Sequence, residues 1–215
     1  AKQYTPTIVM KEVIDIKRKG KNFEIFTKKD KYETRTILFA SGSKWKELNV
    51  KGEQEFKNKG VHYCASCDGP LYKGKKRAIV VGGGDSAVKE SLLLSEFFEE
   101  VYVIARSSFR PEPINMDRAK KNKKIHLHEG VEIEEIKGDK FVNEIILTKQ
   151  INNSNLLKVD AVFVEIGHIP LSDLAVKLGV KINNKGEIIM TREARTNVEK
   201  VYAAGDVGDL KFKQA

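Results

Sequence analysis

The chain has 215 residues, of which 39 are Lys or Arg and 30 are Asp or Glu, giving a formal net charge of +9 at pH 7. Apolar residues make up 40% of the sequence, which is enough for a packed core and excludes a disordered protein. No run approaches the roughly 18 apolar residues of a membrane span, and the N-terminus lacks the basic-then-apolar layout of a secretion signal. We therefore expect a soluble, cytoplasmic, globular protein that does not bind a membrane.

The positive charge does not indicate a nucleic-acid-binding protein. The lysines are interleaved with acidic residues, and the densest basic run, residues 120–124, has no aromatic partner on which a base could stack. The only cysteines are Cys64 and Cys67, which are too few for a secreted scaffold held by several disulfides.

Short strands are expected in the first 42 residues, at residues 7–17, 23–26 and 36–40, because β-branched and aromatic residues there are bounded by turn residues. Residues 43–60 are polar, and we expect them to be irregular.

The central region alternates between two periodicities. The pattern predicts a strand at 77–81, a helix at 88–98, a strand at 101–104, a helix at 116–123 and a strand at 125–128. This order is typical of a parallel, doubly wound sheet.

The chain then repeats its first layout. A hairpin is expected at 131–136 and 142–148, followed by an apolar run at 161–166 that ends at Gly167. If both copies belong to dinucleotide-binding domains, the first lacks the glycine-rich unit that precedes the second. The sequence therefore predicts an α/β fold of two Rossmann-like, dinucleotide-binding domains, doubly wound with a β-meander, the first incomplete. On this basis we expect the parent protein to begin before residue 1.

A glycine-rich segment links the strand at 77–81 to the helix after it. Its residues are Gly82, Gly83, Gly84, Asp85, Ser86 and Ala87. The first glycine of Gly-x-Gly-x-x-Ala permits a tight turn, the second lets the backbone approach a pyrophosphate, and the small third residue lets the helix pack on the strand. The free N–H groups of the helix N-terminus favour phosphate. The segment predicts a dinucleotide site; a tight turn with nothing bound is the alternative.

The end of the strand at 101–104 indicates which dinucleotide is bound. NAD-binding proteins place an acidic residue there, whereas NADP-binding proteins place an arginine nearby. No acid occupies this strand end, and Arg106, Ser107 and Arg110 follow it. Because a guanidinium can hold the 2′-phosphate, NADPH is preferred over NADH. Two solvated surface arginines are the alternative.

Cys64 and Cys67 form a Cys-x-x-Cys that is followed by Asp68. Two thiols at this spacing can close a small ring and exchange electrons as a pair. Half of a zinc site with His62 as third ligand, and two unrelated core cysteines, are the alternatives. Zinc needs four ligands and no second Cys-x-x-Cys is present, so we expect no metal site. Asp68 could protonate a leaving thiolate as a general acid, or be a polar turn residue.

The other histidines are less informative. His126 and His128 share one face of a strand, and we interpret them as structural rather than as metal ligands. His168 follows a strand end, where ligands collect in open α/β sheets, and could border a nicotinamide pocket without being catalytic.

The motifs together resemble low-molecular-weight thioredoxin reductase, in the right order and over nearly the whole chain. Residues 64–69 are similar to the family's Cys-Ala-Thr-Cys-Asp-Gly, and residues 82–87 to its NADPH loop. Residues 201–207 resemble its second FAD motif, and residues 209–215 the stretch that lies against the flavin. Residues 40–42 match the Ala-Thr-Gly at its domain crossing.

The resemblance implies an NADPH domain at residues 60–167, inserted into an FAD domain made from residues 1–50 and 183–215. The motif that ends the NADPH domain would place Ile166 and Gly167 at that cofactor. The FAD site would use Ser41, Gly42, Gly205, Asp206, Val207, Lys213, Gln214 and Ala215. Members of the family are usually homodimers, so we expect a homodimer.

The resemblance also implies a mechanism in which NADPH reduces FAD and the flavin reduces the Cys64–Cys67 disulfide. By position, Cys67 would face the flavin, Cys64 would attack the disulfide of thioredoxin, and Asp68 would donate the proton. Two departures stand out: the family's His-Arg-Arg is Ala105-Arg106-Ser107 here, and Lys213 replaces an arginine.

Other functions remain open at this point. One is the flavoprotein reductase of a peroxidase system. Another is the ferredoxin-NADP reductase relative, which lacks the Cys-x-x-Cys and is disfavoured. A third is a non-catalytic NADPH-binding or redox-sensing module, which flavin content would distinguish.

Overall fold

The structure, a computed structural model, describes residues 6–211 and residue 213. It has two compact units. Unit 1 combines the described residues of Ala1–Lys44 and His168–Ala215, and unit 2 is Trp45–Gly167. Among the described residues, no helix is both long enough and apolar enough to cross a membrane.

The strands of the described residues follow in chain order: β1 (Val13–Lys19), β2 (Asn22–Thr27), β3 (Lys31–Thr34), β4 (Ile37–Phe39), β5 (Ser43–Trp45), β6 (Val61–His62), β7 (Lys75–Val81), β8 (Phe98–Ala105), β9 (Ile125–Glu129), β10 (Ile133–Gly138), β11 (Val142–Ile151), β12 (Ser154–Lys158), β13 (Ala161–Val164), β14 (His168–Pro170) and β15 (Val201–Ala203). The α-helices are α1 (Ala65–Asp68), α2 (Asp85–Leu94), α3 (Pro113–Lys121) and α4 (Asp173–Lys177). Short 3-10 helices lie at Gly69–Tyr72 and Gly205–Val207.

Unit 2 is built on a parallel sheet of order β6-β13-β7-β8-β9, which confirms the predicted α/β class. Because side chains alternate along a strand, the side chains of β7 pack into two different cores, one on each face of the sheet. Ala78 and Val80 pack with residues of α2, whereas Ile79 and Val81 pack with residues of the β10-β11-β12 sheet. A sheet covered on both faces needs nearly continuous apolar strands, which is what the sequence shows at 77–81 and 101–104.

The structure contains both predicted meanders, and their first hairpins have a register shift at equivalent positions. In unit 1, β1 pairs with β2 and the register shifts between Val13 and Asp15. In unit 2, β10 pairs with β11 and the register shifts between Ile133 and Glu135, at the equivalent place. Both hairpins thus have a bulge two residues into their first strand, as expected of a structural repeat.

The bounds of two predicted helices need correction. Helix α2 begins at Asp85 rather than at residue 88, because Gly84 has an extended backbone and ends the turn there. It also stops at Leu94, because the chain turns so that the buried Phe98 starts β8. Helix α3 starts at Pro113 instead of residue 116, since proline suits the first turn of a helix.

Each meander has a third strand that the sequence pattern does not reveal. Strands β3 and β12 pair with β2 and β11, and both are mostly exposed and polar. The expected strand at 7–17 begins only at Val13, and residues 6–12 lie in no strand. Residues 43–60, expected to be irregular, begin with β5, which pairs with β14.

In unit 1, strands β4 and β15 form a parallel pair beside the β1-β2-β3 sheet. Its core includes Phe23, Phe39 and Ile188. The two segments of unit 1 are also tied together at Leu171, whose N–H donates to Gly42 O at 3.0 Å. The assignment of these segments to an FAD domain stays a prediction.

Candidate functional site

The turn after β7 is closed so tightly that only glycine fits at its first position. Gly82 has φ +157°, and a Cβ there would lie 2.3 Å from the carbonyl oxygen of Glu165 and 2.9 Å from the Cβ of Ala87. Its N–H donates to Ile104 O at 2.9 Å, which fixes the turn against β8. The small, fully buried Ala87 lets α2 lie against this turn.

Gly84, two residues further on, lies in open space, in contrast to the crowded Gly82. A Cβ built on it meets no atom within 4 Å, so the backbone faces open space at the start of α2. The first N–H groups of α2 have no partner within the helix. A tight first glycine and an open second one form the backbone cradle that a pyrophosphate requires.

A cavity of about 750 Å³ opens over this turn, entirely within unit 2. This volume is in the range of a cofactor site. Of the residues predicted to bind NADPH, those that line it are Gly82, Gly83, Gly84, Asp85, Ser86, Arg106, Ser107, Arg110, Ile166 and Gly167. Ala87 is the exception, since it lies beneath the turn. The residues fit a dinucleotide in shape and in hydrogen-bonding groups.

The end of β8 bears no acidic side chain, as the sequence indicated. Ala105 is buried, while Arg106 and Arg110 are exposed at the cavity wall. The position of Arg110 is set by its backbone, whose N–H donates to Gly83 O at 2.7 Å. Both guanidinium groups are therefore placed at the same rim as the glycine turn.

Asp85 lines the cavity, but its carboxylate is held by protein groups. It accepts hydrogen bonds from Glu112 N at 2.9 Å and Asn115 Nδ2 at 2.8 Å, and Lys89 Nζ lies 2.7 Å away. Partial burial opposes its ionisation, yet these hydrogen bonds keep the pKa of Asp85 below its ordinary value. Asp85 thus ties the start of α2 to the start of α3.

Sequence reasoning missed Glu165, a buried carboxyl at the base of the cavity. Ser86 Oγ donates to Glu165 Oε2 at 2.5 Å. Burial raises the pKa of Glu165 to about 7; the hydrogen bond from Ser86 opposes this rise and the nearby Glu90 adds to it. In the sequence, Glu165 is one acidic residue in an apolar run, a weak signal of a buried functional group.

Cys64 and Cys67 form a disulfide at the start of α1, as the redox interpretation requires. Cys67 N donates to Cys64 Sγ at 3.2 Å, and Ser66 Oγ lies 3.3 Å from the same sulfur. When the bond is reduced, these donors can stabilise negative charge on Cys64. Cys64 is half-buried and Cys67 is exposed.

Asp68 faces a histidine that sequence reasoning considered only as a zinc ligand. His62 Nδ1 lies 3.3 Å from Asp68 Oδ2, and His62 Nε2 lies 2.7 Å from the Tyr72 hydroxyl. Within the described residues, no three His, Cys, Asp or Glu side chains gather where they could hold a metal ion. The zinc interpretation needs free thiolates, whereas the cysteines are joined to each other.

His126 and His128 flank Tyr102 on the parallel sheet, with ring centroids 4.7 Å and 5.7 Å from the tyrosine ring. This packing favours the structural interpretation. Burial lowers the pKa of His168 in unit 1, while Asp206 opposes the shift and Lys213 adds to it.

The residues predicted to bind FAD lie in unit 1. Gly42 (φ +68°) and Gly205 (φ +73°) both have open space where a Cβ would be. Ser41 Oγ donates to Leu171 O at 2.7 Å, and Val207 is buried. Asp206 lies in the 3-10 helix Gly205–Val207.

Lys213 contacts an acidic side chain and two backbone carbonyls of unit 1. Its Nζ lies 3.1 Å from Glu187 Oε1, donates to Asp206 O at 3.0 Å and also donates to Gly208 O. Gln214 and Ala215, the remaining predicted FAD residues, lie outside the described residues.

The chain is similar to known proteins over most of its length. The profile of the family described as "Pyridine nucleotide-disulphide oxidoreductase" matches residues 2–215. The chain therefore belongs to the pyridine nucleotide-disulphide oxidoreductases.

Within this family, its relatives include thioredoxin reductases. The chain is 37% identical over 209 residues to "Thioredoxin reductase" of Listeria innocua, covering 95% of this chain and 64% of that protein. It matches the crystal structure of Lactococcus lactis thioredoxin reductase with a TM-score of 0.75 at 32% identity, covering 95% of this chain and 68% of that one. The resemblance found in the sequence is confirmed.

A second kind of relative is also similar. The chain is 34% identical over 184 residues to an alkyl hydroperoxide reductase of Staphylococcus aureus, covering 85% of this chain and 36% of that protein. The chain thus spans less than two thirds of the length of several curated relatives it matches.

Proposed function

We propose that this chain belongs to an NADPH-dependent, FAD-containing disulfide reductase that reduces thioredoxin. The proposal rests mainly on one observation: a disulfide between Cys64 and Cys67 lies in the same unit as a glycine-rich turn that opens on a cavity. The similarity to thioredoxin reductases supports the choice of thioredoxin as partner. We also propose a homodimer, by analogy with the family.

Each cofactor has candidate residues that fit it. NADPH would lie in the cavity of unit 2, its pyrophosphate at Gly82–Gly84 and α2, and its 2′-phosphate near Arg106 and Arg110. FAD would be held in unit 1 at the two open glycine turns, Gly42 and Gly205. When bound, these cofactors supply two electrons from the nicotinamide, through the flavin, to the disulfide.

The residues of the chain have separate roles in this proposal. Cys67 accepts the electrons, because it is the exposed sulfur, and Cys64 becomes the nucleophile toward the partner's disulfide. The N–H of Cys67 stabilises the thiolate on Cys64. Asp68 donates the proton that a leaving thiolate needs. The balance is one NADPH, one proton and one disulfide converted to NADP⁺ and one dithiol.

A visible absorption spectrum of the purified protein tests the proposal. We expect FAD to be bound or taken up, and its bands to bleach on anaerobic addition of NADPH. C67S should then abolish thioredoxin reduction while the flavin still bleaches. If the flavin of C67S bleaches and the variant still reduces thioredoxin at an undiminished rate, the dithiol does not have the proposed role. Absence of flavin even after added FAD would favour a non-catalytic NADPH-binding module.

A second candidate is the reductase component of a hydroperoxide-reducing system. The similarity to the alkyl hydroperoxide reductase of Staphylococcus aureus favours it. Comparing NADPH oxidation with thioredoxin and with a peroxidase partner as acceptors separates the two. A higher kcat/KM with the peroxidase partner would replace thioredoxin in the proposal.

A further inference from the structure

A buried histidine connects the redox segment to a tyrosine. The His62 side chain is 5% exposed, and its two ring nitrogens face different partners. Nε2 lies 2.7 Å from the Tyr72 hydroxyl, and Nδ1 lies 3.3 Å from Asp68 Oδ2. Tyr72, His62 and Asp68 therefore form one row of side chains, with His62 in the middle. Tyr72 lies in the 3-10 helix after α1, and Asp68 is the last residue of α1.

Aromatic packing fixes the orientation of the His62 ring. It stacks on Phe163 of β13 with centroids 5.5 Å apart, and it meets Tyr72 edge-on at 5.4 Å. Tyr72 in turn stacks on Phe98 at 5.5 Å. The imidazole is therefore held with Nδ1 toward Asp68, and a ring flip would break the contact with Tyr72.

The surroundings determine the protonation of this row. The titratable groups that face the ring are Asp68 from α1 and Tyr72 from the 3-10 helix, while β13 contributes the apolar Phe163. Burial lowers the pKa of His62, and the carboxylate of Asp68 opposes that shift. Burial also raises the pKa of Tyr72, and Asp68 and Asp160 add to it. With its proton on Nδ1, the ring accepts from the Tyr72 hydroxyl at Nε2, while Nδ1 faces Asp68 at 3.3 Å in a charge contact rather than an aligned hydrogen bond.

We propose that His62 is a positioning residue of the redox centre, which holds the Asp68 carboxyl in place for proton transfer to the cysteines. The inference rests on the proposed function, since it assigns Asp68 the role of proton donor. Reduction of the disulfide breaks the S–S bond and adds two electrons, which come from NADPH. Asp68 gives to a sulfur the one proton that the dithiol needs beyond the hydride, and solvent returns a proton to Asp68, whose side chain is 32% exposed. His62 keeps one tautomer and one orientation throughout.

Alkylation of the reduced cysteines tests this without any cofactor. The chain has only two cysteines, so iodoacetamide reports on this site alone. The purified protein is reduced with dithiothreitol and freed of it, and the alkylation rate is measured from pH 5 to 9. We expect two kinds of ionisation in the profile, one from the thiols and one from His62.

Three variants distinguish a role at the redox centre from simple packing. H62Q removes the titrating ring, and we expect the second ionisation to disappear and the rate at pH 6 to fall by about threefold or more, since no imidazolium then favours the thiolate. Y72F keeps the aromatic packing and removes only the hydroxyl, and it should shift the second ionisation. H126Q is the matched control in the same unit, packed on Tyr102, and its profile should coincide with that of the unchanged protein.

An H62Q profile that coincides with the unchanged protein, or that is lower by one factor at every pH, would overturn the proposal, because a packing role changes no ionisation. If circular dichroism shows H62Q unfolded, Y72F decides, and an unshifted Y72F profile overturns the proposal. Failure of thioredoxin reduction in the unchanged protein would count against the proposed function. The alkylation profiles could still be interpreted, because that assay needs neither a cofactor nor thioredoxin.

Discussion

Ser86 and Glu165 are 79 residues apart in the sequence, yet Ser86 Oγ and Glu165 Oε2 lie 2.5 Å apart. The bond joins the first turn of α2 to the residue after β13, directly beside the glycine turn. Glu165 is 8% exposed, and burial raises its pKa to about 7. The wall of the proposed nucleotide site thus contains a carboxyl that changes its charge near neutral pH.

The first prediction follows from that raised pKa. The native state holds the Glu165 proton up to about pH 7, whereas the unfolded chain releases it near 4.5. The contribution of Glu165 to the free energy of unfolding therefore falls as the pH rises from about 4.5 to about 7 and is constant above. Because one pH unit corresponds to about 1.4 kcal/mol, the loss is on the order of 3 kcal/mol. E165Q should remove it, so that the variant is the more stable protein at pH 8.

Urea unfolding at a series of pH values measures this. E132Q is the control, because Glu132 lines the same cavity but is exposed, and its variant should follow the unchanged protein. If E165Q and the unchanged protein keep a constant difference in unfolding free energy from pH 5 to 8, Glu165 does not titrate as described.

Local sequence signals located the glycine turn and the disulfide, and long-range packing explains what they missed. The spacing of Gly82, Gly84 and Ala87 is enough to predict a tight turn between a strand and a helix. Two cysteines three residues apart can pair with each other without any long-range contact. Glu165 is recognised as a site residue only through its contact with Ser86, and His62 only through its contact with Asp68. Sequence periodicity does not identify either contact. The edge strand β3 was missed for a related reason: its exposed, polar residues need no apolar alternation.

The second prediction separates the two glycines of the turn. G82A should destabilise the protein by several kcal/mol, because its Cβ would lie 2.3 Å from a backbone oxygen that cannot move aside. G84A should fold with a stability close to that of the unchanged protein, since nothing lies within 4 Å of its Cβ. Its methyl group would fill the space of the pyrophosphate, and NADPH affinity should fall at least tenfold. Thermal unfolding and fluorescence titration with NADPH measure the two effects; tight NADPH binding by folded G84A would place the pyrophosphate elsewhere.

The third prediction concerns the choice between NADPH and NADH. R106A and R110A should each weaken NADPH binding by about tenfold or more, since a charge-assisted hydrogen bond contributes about 1.5–3 kcal/mol. NADH binding should hardly change, because that molecule lacks the 2′-phosphate. R118A is the control, an exposed arginine on α3 away from the cavity lining. Equal losses of NADPH and NADH affinity would mean that the arginines do not contact the 2′-phosphate.

The fourth prediction concerns a buried carboxylate that holds the chain just before the disulfide. Glu53 is 1% exposed and accepts three hydrogen bonds: from Leu48 N at 2.8 Å, Asn49 N at 2.7 Å and the Tyr63 hydroxyl at 2.8 Å. Both oxygens are used, so the amide of E53Q would turn an N–H₂ group toward a donor. The variant should lose about 2–3 kcal/mol of unfolding free energy. Y63F removes one of the three bonds and should lose about 1 kcal/mol.

Fluorescence of Trp45, the only tryptophan, reports this unfolding because its ring stacks on Tyr63 at 6.4 Å. E55Q, at an exposed position two residues away, is the matched control and should unfold with the unchanged protein. Because Tyr63 directly precedes Cys64, loosening it should also speed the reduction of the Cys64–Cys67 disulfide by dithiothreitol in E53Q. An E53Q protein as stable as E55Q would show that the three hydrogen bonds do not support this part of unit 2.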